Sequence, residues 1–234
     1  MKHWKLGLAF LSAFALTWTP AAGTLPGFAP LEAFAGQGTI EFTDASVTIG
    51  LSGTGISAVS GEDGEYTAVY TGAAITPTVD VRVTNKDPEE GTDYTVTMAS
   101  GLTEPGDYNI TVESVSTSNS ESEIFAAGQT KTLTLTITKD SLKDTDITIG
   151  SMVCDPSKDT EAKFLAAVID ALTVGRGGKA FTNGSDYTVT MDSTNGNDKM
   201  SAGNHTVRIE MKTGQALTGY INKTFKVEKL DLAN

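Results

Sequence analysis

The amino-acid sequence predicts an all-β protein made of two tandem antiparallel β-sandwich repeats, with one short helix in the second. Two observations lead to this fold class. The second half of the chain restates four sequence blocks of the first half in the same order. Within each half, apolar residues alternate with polar ones, which is the period of half-buried strands. Short strands rich in Thr and Val, separated by Gly, Asn and Asp turns, are typical of an antiparallel sandwich.

The repeated blocks set the domain boundaries. Their offsets run from 92 to 100 positions, and the pairs are 47–50 with 147–150, 90–98 with 183–191, 105–112 with 202–209, and 130–135 with 222–227. Residues 139–144 form a polar, charged connector without an apolar pattern. We therefore predict a first repeat with an N-terminal strand at 36–142 and a second repeat at 143–234. A connector this short predicts a semi-rigid arrangement.

One segment of the second repeat breaks the alternation. Between residues 155 and 172 the apolar positions follow three- and four-residue spacing, Pro156 suits a first helical turn and Gly175 follows the end. This pattern predicts a short amphipathic helix whose apolar face packs on the core. A second interpretation makes residues 171–174 a strand and only the part before them helical. The apolar positions are Phe164, Leu165, Val168, Ile169 and Leu172.

Residues 1–35 have the pattern of a secretory signal peptide. A basic start is followed by an uncharged apolar run at 6–18, and Ala33-Phe34-Ala35 supplies the small residues that cleavage before Gly36 requires. Cleavage after Ala22 and retention as an uncleaved anchor are the alternatives. The apolar run is shorter than the roughly 20 residues of a spanning helix, so we expect no membrane span after cleavage. The expected location is extracellular or on the cell surface.

Charge and composition narrow the function. The net charge of the chain is −12, and an acidic surface repels phosphate groups, which argues against nucleic-acid binding. Both tryptophans, Trp4 and Trp18, and one of the two histidines, His3, lie in the predicted signal peptide. The lone Cys154 has no partner for an internal disulfide, and we expect a buried or idle thiol.

Several short motifs resemble those of the tandem bacterial immunoglobulin-like repeats of exported cell-surface proteins. Gly91-Thr92-Asp93-Tyr94, Gly106-Asp107-Tyr108 and Lys131-Thr132-Leu133 match in the first repeat, after Tyr70-Thr71-Gly72; Gly184-Ser185-Asp186-Tyr187, Gly203-Asn204-His205 and Lys223-Thr224-Phe225 match in the second, which lacks the Tyr-x-Gly motif. The resemblance implies two tandem antiparallel immunoglobulin-like β-sandwich repeats from a bacterium. It also implies a spacer, an adhesin stalk or a binding module.

The sequence contains no recognisable catalytic motif. After the signal peptide the only histidine is His205, in a block where the other repeat has Tyr108, so we interpret it as structural. Nucleophile-elbow, zinc-protease, phosphate-loop and Cys-x-x-Cys motifs are absent from the sequence. Asp93 and Asp186 both precede a strand Tyr, where a short carboxylate accepts backbone N–H bonds. We therefore expect no enzyme, no cofactor and no zinc.

Calcium and glycans are the ligands that the sequence leaves open. Acidic loops of an exported protein suit calcium, although none has EF-hand spacing and solvated loops are the favoured interpretation. The weak candidate ligands are Asp63, Asp87, Glu89, Asp192 and Asp198. A sugar would stack on Tyr66, Tyr70 or Tyr220, since the other strand tyrosines alternate as core residues.

These observations predict an exported, non-catalytic protein with an adhesive or structural role. One alternative is a self-assembling subunit of an extracellular filament or layer. In that case the Thr/Val/Ile-rich segment Gly38–Ile49 would complete a neighbour's sheet by strand addition. The other alternative is a glycan- or calcium-binding module.

Overall fold

A computed structural model describes residues 40–117, 120–121, 124–191 and 199–231. Most of this part of the chain lies in β-strands and turns, and its single α-helix is α1 (Glu161–Ala171). The all-β prediction is confirmed, as is a short helix in the second half. Across these residues, no helix has the length and apolar character needed to cross a membrane.

The strands of the first half form two main sheets. One pairs β1 with β4, and the other has the strand order β2-β3-β9-β6-β5. The short β7 and β8 pair with each other, and β10 lies in the connector. The bounds are β1 (Val47–Ser52), β2 (Ser57–Ala58), β3 (Glu65–Val69), β4 (Thr78–Val83), β5 (Tyr94–Thr97), β6 (Gly106–Ser114), β7 (Ser116–Thr117), β8 (Ser120–Glu121), β9 (Thr130–Thr138) and β10 (Asp140–Ser141).

The strands of the second half also form two main sheets. Their strand orders are β11-β13-β14 and β12-β18-β16-β15, and β17 pairs with the connector strand β10. A 3₁₀ turn at Asp144–Asp146 precedes β11. The bounds are β11 (Ile147–Ile149), β12 (Met152–Val153), β13 (Leu172–Arg176), β14 (Lys179–Phe181), β15 (Tyr187–Met191), β16 (Gly203–Met211), β17 (Leu217–Thr218) and β18 (Tyr220–Glu228).

The two halves share one strand order. The series β3-β9-β6-β5 of the first half corresponds to β12-β18-β16-β15 of the second, and β1-β4 corresponds to β11-β13. The pairing direction agrees as well: β6 pairs antiparallel with β9, and β16 pairs antiparallel with β18. The sequence blocks therefore occupy matching strands. The strands β2 and β14 have no counterpart in this comparison.

The expectation of purely antiparallel sheets was wrong. Strand β3 pairs with β9 in parallel, β12 pairs with β18 in parallel, and β10 pairs with β17 in parallel. Between β3 and β9 the chain visits the other main sheet at β4, and between β12 and β18 it does so at β13. Neither connection is therefore a hairpin. Side chains alternate with the same period in parallel and antiparallel strands, which is why the sequence pattern does not separate them.

The helix is shorter than the predicted 155–172, and the second interpretation of that segment is the correct one. Helix α1 begins after Thr160, whose hydroxyl accepts a bond from the Lys163 N–H, and β13 begins at Leu172. Pro156 lies before the helix. The Asp155 carboxylate accepts the Ser157 N–H at 2.8 Å, and this local turn competes with helix formation.

The core follows the alternation that the sequence predicts. In β9, Leu133, Leu135 and Ile137 are at most 2% exposed, whereas the intervening threonines face outward. Met98 is different, because it follows the end of β5 and is 38% exposed. The most deeply buried side chains of the second half are Phe164, Val168, Val207, Ile209 and Leu217.

Candidate functional site

His205 lies near the start of β16 and is only 3% exposed. Its Nε2 is 2.7 Å from the Ser201 carbonyl oxygen, which only accepts, so Nε2 carries the proton and donates. The ring makes an edge contact with Phe164, with centroids 4.8 Å apart, and lies 6.0 Å from the ring of Phe225. A histidine held in this way fills the core and fixes the preceding loop.

Tyr108 makes the equivalent bond in the first half. Its hydroxyl donates to the Glu104 carbonyl oxygen at 2.7 Å, again four residues upstream. Both aromatic residues therefore tie the loop before a strand to the strand itself. A bond to a main-chain carbonyl can be made by either ring, which explains why Tyr and His alternate at this position.

Asp93 and Asp186 form a matching pair of loops. The Asp93 carboxylate accepts the Glu89 N–H at 3.0 Å, and the Asp186 carboxylate accepts the Thr182 N–H at 2.7 Å. The glycines two residues before them have the same left-handed φ of 86°. The predicted role of both carboxylates as backbone acceptors at the start of a strand is confirmed.

Replacing Asp93 with alanine is expected to lower the free energy of unfolding by about 1–2 kcal/mol, because the Glu89 N–H loses the buried carboxylate that accepts its bond. Asp186→Ala should behave alike. Urea denaturation would measure both changes. Asp87→Ala is the control, since Asp87 is exposed in the same loop. Equal effects of Asp93→Ala and Asp87→Ala would contradict a structural role for the carboxylate.

The calcium candidates do not come together as one site. Asp63 is exposed and pairs with Lys131, and both Asp87 and Glu89 are exposed. Asp192 and Asp198 lie outside the described residues. Elsewhere in the described chain, no three His, Cys, Asp or Glu side chains are grouped as metal ligands. Calcium binding stays a prediction.

The three tyrosines considered for sugar stacking differ in exposure. Tyr70 is 2% exposed and belongs to the core, and Tyr66 is half-buried. Tyr220 is 51% exposed, but the guanidinium carbon of Arg208 lies 3.5 Å from its ring centroid and covers one face. Tyr220 thus offers a sugar one open face only.

The Tyr70 and Tyr108 hydroxyls allow a matched test of hydrogen bonding. Among the described residues the buried Tyr70 hydroxyl has no hydrogen-bond partner, and burial raises the pKa of this group. Tyr108→Phe should therefore lower the free energy of unfolding by about 1 kcal/mol, and Tyr70→Phe should leave it unchanged or raise it. Thermal denaturation of both variants would check this. A larger loss of unfolding free energy for Tyr70→Phe than for Tyr108→Phe would mean that the Tyr70 hydroxyl does form a stabilising hydrogen bond.

Two clefts of the described residues differ in the chemistry of their linings. A cavity of about 490 Å³ lies beside the exposed Val69 and is lined by small and apolar residues such as Ala73 and Ile75. A cavity of about 630 Å³ lies against the end of β18, beside Leu230 and Lys226. The described lining of the first cleft has no ionisable side chain and suits weak apolar contact, whereas the lining of the second includes two lysines and two carboxylates.

Cys154 and the N-terminal segment are both engaged within the chain. The Cys154 thiol is half-buried and lies 3.2 Å from the Met200 carbonyl oxygen. Of the segment proposed for strand addition, residues 38–39 lie outside the described part, Ile40 pairs with Phe125, and 47–49 belong to β1, paired with β4. Strand addition to a neighbour by residues 47–49 requires release from β4 first, or use of the outer edge of β1.

The feature that sequence reasoning missed is a cluster around Arg176, at the end of β13. Its guanidinium donates to the Asp146 carboxylate through both Nε, at 2.8 Å, and Nη2. It also reaches the Asp140 carboxylate at 2.6 Å and the Ser141 carbonyl oxygen at 2.8 Å. The Arg176 and Asp146 side chains are only 11% and 6% exposed.

Electrostatics hold this cluster in its charged state. Burial alone raises the pKa of Asp146, but the hydrogen bonds from Arg176 and the Lys143 N–H together outweigh this effect, so the net pKa is below its usual range. The hydrogen bond to Asp146 also raises the pKa of Arg176. In the sequence, the cluster is indicated only by an arginine followed by two glycines and by the acidic residues of the connector.

No protein-family model matches the sequence, and no curated protein is significantly similar to it.

Proposed function

We propose that this chain is an exported, non-catalytic protein of a bacterial cell surface or extracellular space, with an adhesive or structural role. It consists of two tandem immunoglobulin-like β-sandwich units, at 36–142 and 143–234, that follow a signal peptide. The observation that carries the proposal is that Tyr108 and His205 occupy equivalent positions near the start of β6 and β16. The single histidine after the signal peptide has a structural counterpart in the other half, with the same bond to a backbone carbonyl.

Three features support the immunoglobulin-like assignment. Each half has a two-strand pairing at its start and a second sheet in which an early strand lies parallel to the last one. Each half also ties an aromatic residue near a strand start to the backbone four residues upstream, as in the tyrosine corner of such sandwiches. The paired carboxylate loops at Asp93 and Asp186 add a third matching element.

A non-catalytic role is supported by the environment of the reactive side chains. His205 is buried between aromatic rings and donates through Nε2, and the Cys154 thiol is engaged with a backbone carbonyl. The cleft beside Val69 has no ionisable side chain among the described residues of its lining, so it offers no general acid or base. One fold of this kind serves many binding roles, so the ligand has to be found by experiment.

The outward face of the first-half sheet is a suitable contact surface for an adhesive role. The threonines at 132, 134 and 136 of β9 point away from the core and lie opposite Thr111, Asn109 and Asp107 of β6. In a chain of net charge −12 this face is dominated by hydroxyl groups, which donate and accept hydrogen bonds. Glycans and extended protein segments are partners of that chemistry.

The test is a binding screen of residues 36–234 against glycans and matrix proteins, after light scattering with calcium and with EDTA. We expect a monomer in both buffers and a ligand whose binding is lost in Thr134→Lys. Thr188→Lys, on the exposed face of the second half, is the control. Concentration-dependent oligomers would favour a filament subunit, and substrate turnover that co-purifies with the protein would overturn the proposal.

A further inference from the structure

The connector between the halves is built into the second half. Asp140 and Ser141 form β10, which pairs with β17 in parallel. The Leu142 N–H donates to the Thr218 carbonyl oxygen at 2.8 Å, and the Leu142 side chain is 5% exposed. A connector fixed by backbone bonds and a buried side chain does not behave as a flexible linker.

The two halves also touch directly, backbone against backbone. A Cβ on Gly72 would lie 1.9 Å from the Arg176 carbonyl oxygen, and a Cβ on Gly177 would lie 2.2 Å from the Thr71 carbonyl oxygen. Only glycine permits so close an approach. Beside this contact, Lys179 of the second half forms an ion pair at 2.7 Å with Glu104 of the first.

The acidic groups of the connector already have cationic partners from the protein. Arg176 contacts Asp140 and Asp146, and Lys223 pairs with Asp144 at 2.7 Å. Clustered aspartates at a domain junction are what a calcium ion would require as ligands. Here the arginine and the lysine supply the positive charge instead.

From these contacts we infer that the two halves form one rigid body, locked by a joint in which Arg176 acts as an internal cation, so that the inter-half geometry is independent of calcium. The inference deepens the structural role proposed above and rests on it for its biological meaning. In physical terms it stands on the glycine contact, the buried guanidinium and the paired connector strand. Each of these fixes a different part of the joint.

The joint is specific to this position in the chain. Val83 and Val174 hold the same register position opposite the first strand of their halves, which aligns residues 176–177 with 85–86. The equivalents of Arg176 and Gly177 are therefore an asparagine and a lysine. A second copy docking head to tail would lack both the guanidinium clamp and the close backbone contact. The chain does not polymerise by repeating its own joint.

The test measures the distance between the halves in the folded protein. Spin labels on Thr97→Cys and Thr188→Cys, in a Cys154→Ser background, place one label on each half. We expect one narrow distance distribution, identical with calcium and with EDTA. Gly177→Ala should broaden it. Gly178→Ala is the matched control, since Gly178 also has a positive φ, 92° against 56° for Gly177, but has open space around its Cβ position.

Each outcome decides the inference. A broad distribution in the parent protein, or one that narrows only with calcium, would overturn it, as would equal behaviour of the two alanine variants. If Gly177→Ala fails to fold, Arg176→Met in the same labelled background gives a second test and should broaden the distribution as well. The distance measurement involves no ligand. It can therefore contradict the rigid joint without contradicting the adhesive role, and the binding screen can contradict the adhesive role without contradicting the joint.

Discussion

Replacing Phe164 with alanine is expected to lower the free energy of unfolding by about 3–5 kcal/mol, the range for truncating a fully buried phenylalanine. The side chain is 0% exposed on the inner face of α1. Its ring contacts His205 edge-on and lies 6.2 Å from the ring of Phe225. The substitution leaves a cavity between the helix and the sheet that the surrounding side chains only partly refill. Urea denaturation would measure the loss.

Leu165→Ala is the matched control for this prediction. Leu165 follows Phe164 in the same helix but is only partly buried, so its truncation should cost clearly less. A loss below about 1 kcal/mol for Phe164→Ala would mean that the helix does not pack on β16 in solution. The apolar face of α1 would then be available to a partner.

The local sequence pattern was sufficient to predict the strands and the carboxylate loops. Alternation marked Leu133, Leu135 and Ile137 as buried because a strand exposes every second side chain to the same environment. The repeated Asp-Tyr pairs marked Asp93 and Asp186, since the bond of each carboxylate closes within four residues. Interactions that close within a few residues can therefore be predicted from the sequence.

Contacts between distant parts of the chain were not predictable in the same way. Parallel and antiparallel pairing give the same alternation, so the pairing of β3 with β9 had no signature. The helix start was misplaced because the Asp155 side chain closes a turn that helix periodicity does not register. Arg176 was missed because its acidic partners lie 30 and 36 residues away along the chain.

Arg176→Met is expected to lower the free energy of unfolding by about 3–5 kcal/mol at neutral pH, because it leaves the buried Asp146 carboxylate without its cation. Arg208→Met is the control: Arg208 pairs with Glu210 on the surface, where such pairs contribute at most about 1 kcal/mol. The loss of unfolding free energy in Arg176→Lys should lie between these two values, since an ammonium group restores the charge but not the bidentate hydrogen bonding.

The pH dependence of the Arg176→Met effect tests its cause. In the parent protein the pKa of Asp146 is lowered, so the stability it contributes is present above the ordinary aspartate pKa of about 3.9 and is lost as pH falls through the lowered value. In Arg176→Met the same burial acts without the guanidinium and raises the pKa of Asp146, so the variant regains stability relative to the parent as the carboxyl takes up its proton.

The difference in unfolding free energy between parent and Arg176→Met should therefore shrink as pH falls from 7 toward about 3. The variant's Asp146 becomes neutral in this range, and below about 3.9 the parent, whose Asp146 pKa is lowered, begins to lose the stability of its charged pair. Urea denaturation across this range would follow it. A difference that stays constant with pH would mean that the methionine variant loses packing around the joint and not a charge partner. The guanidinium would then matter for its shape, and the internal-cation account of the joint would have to be abandoned.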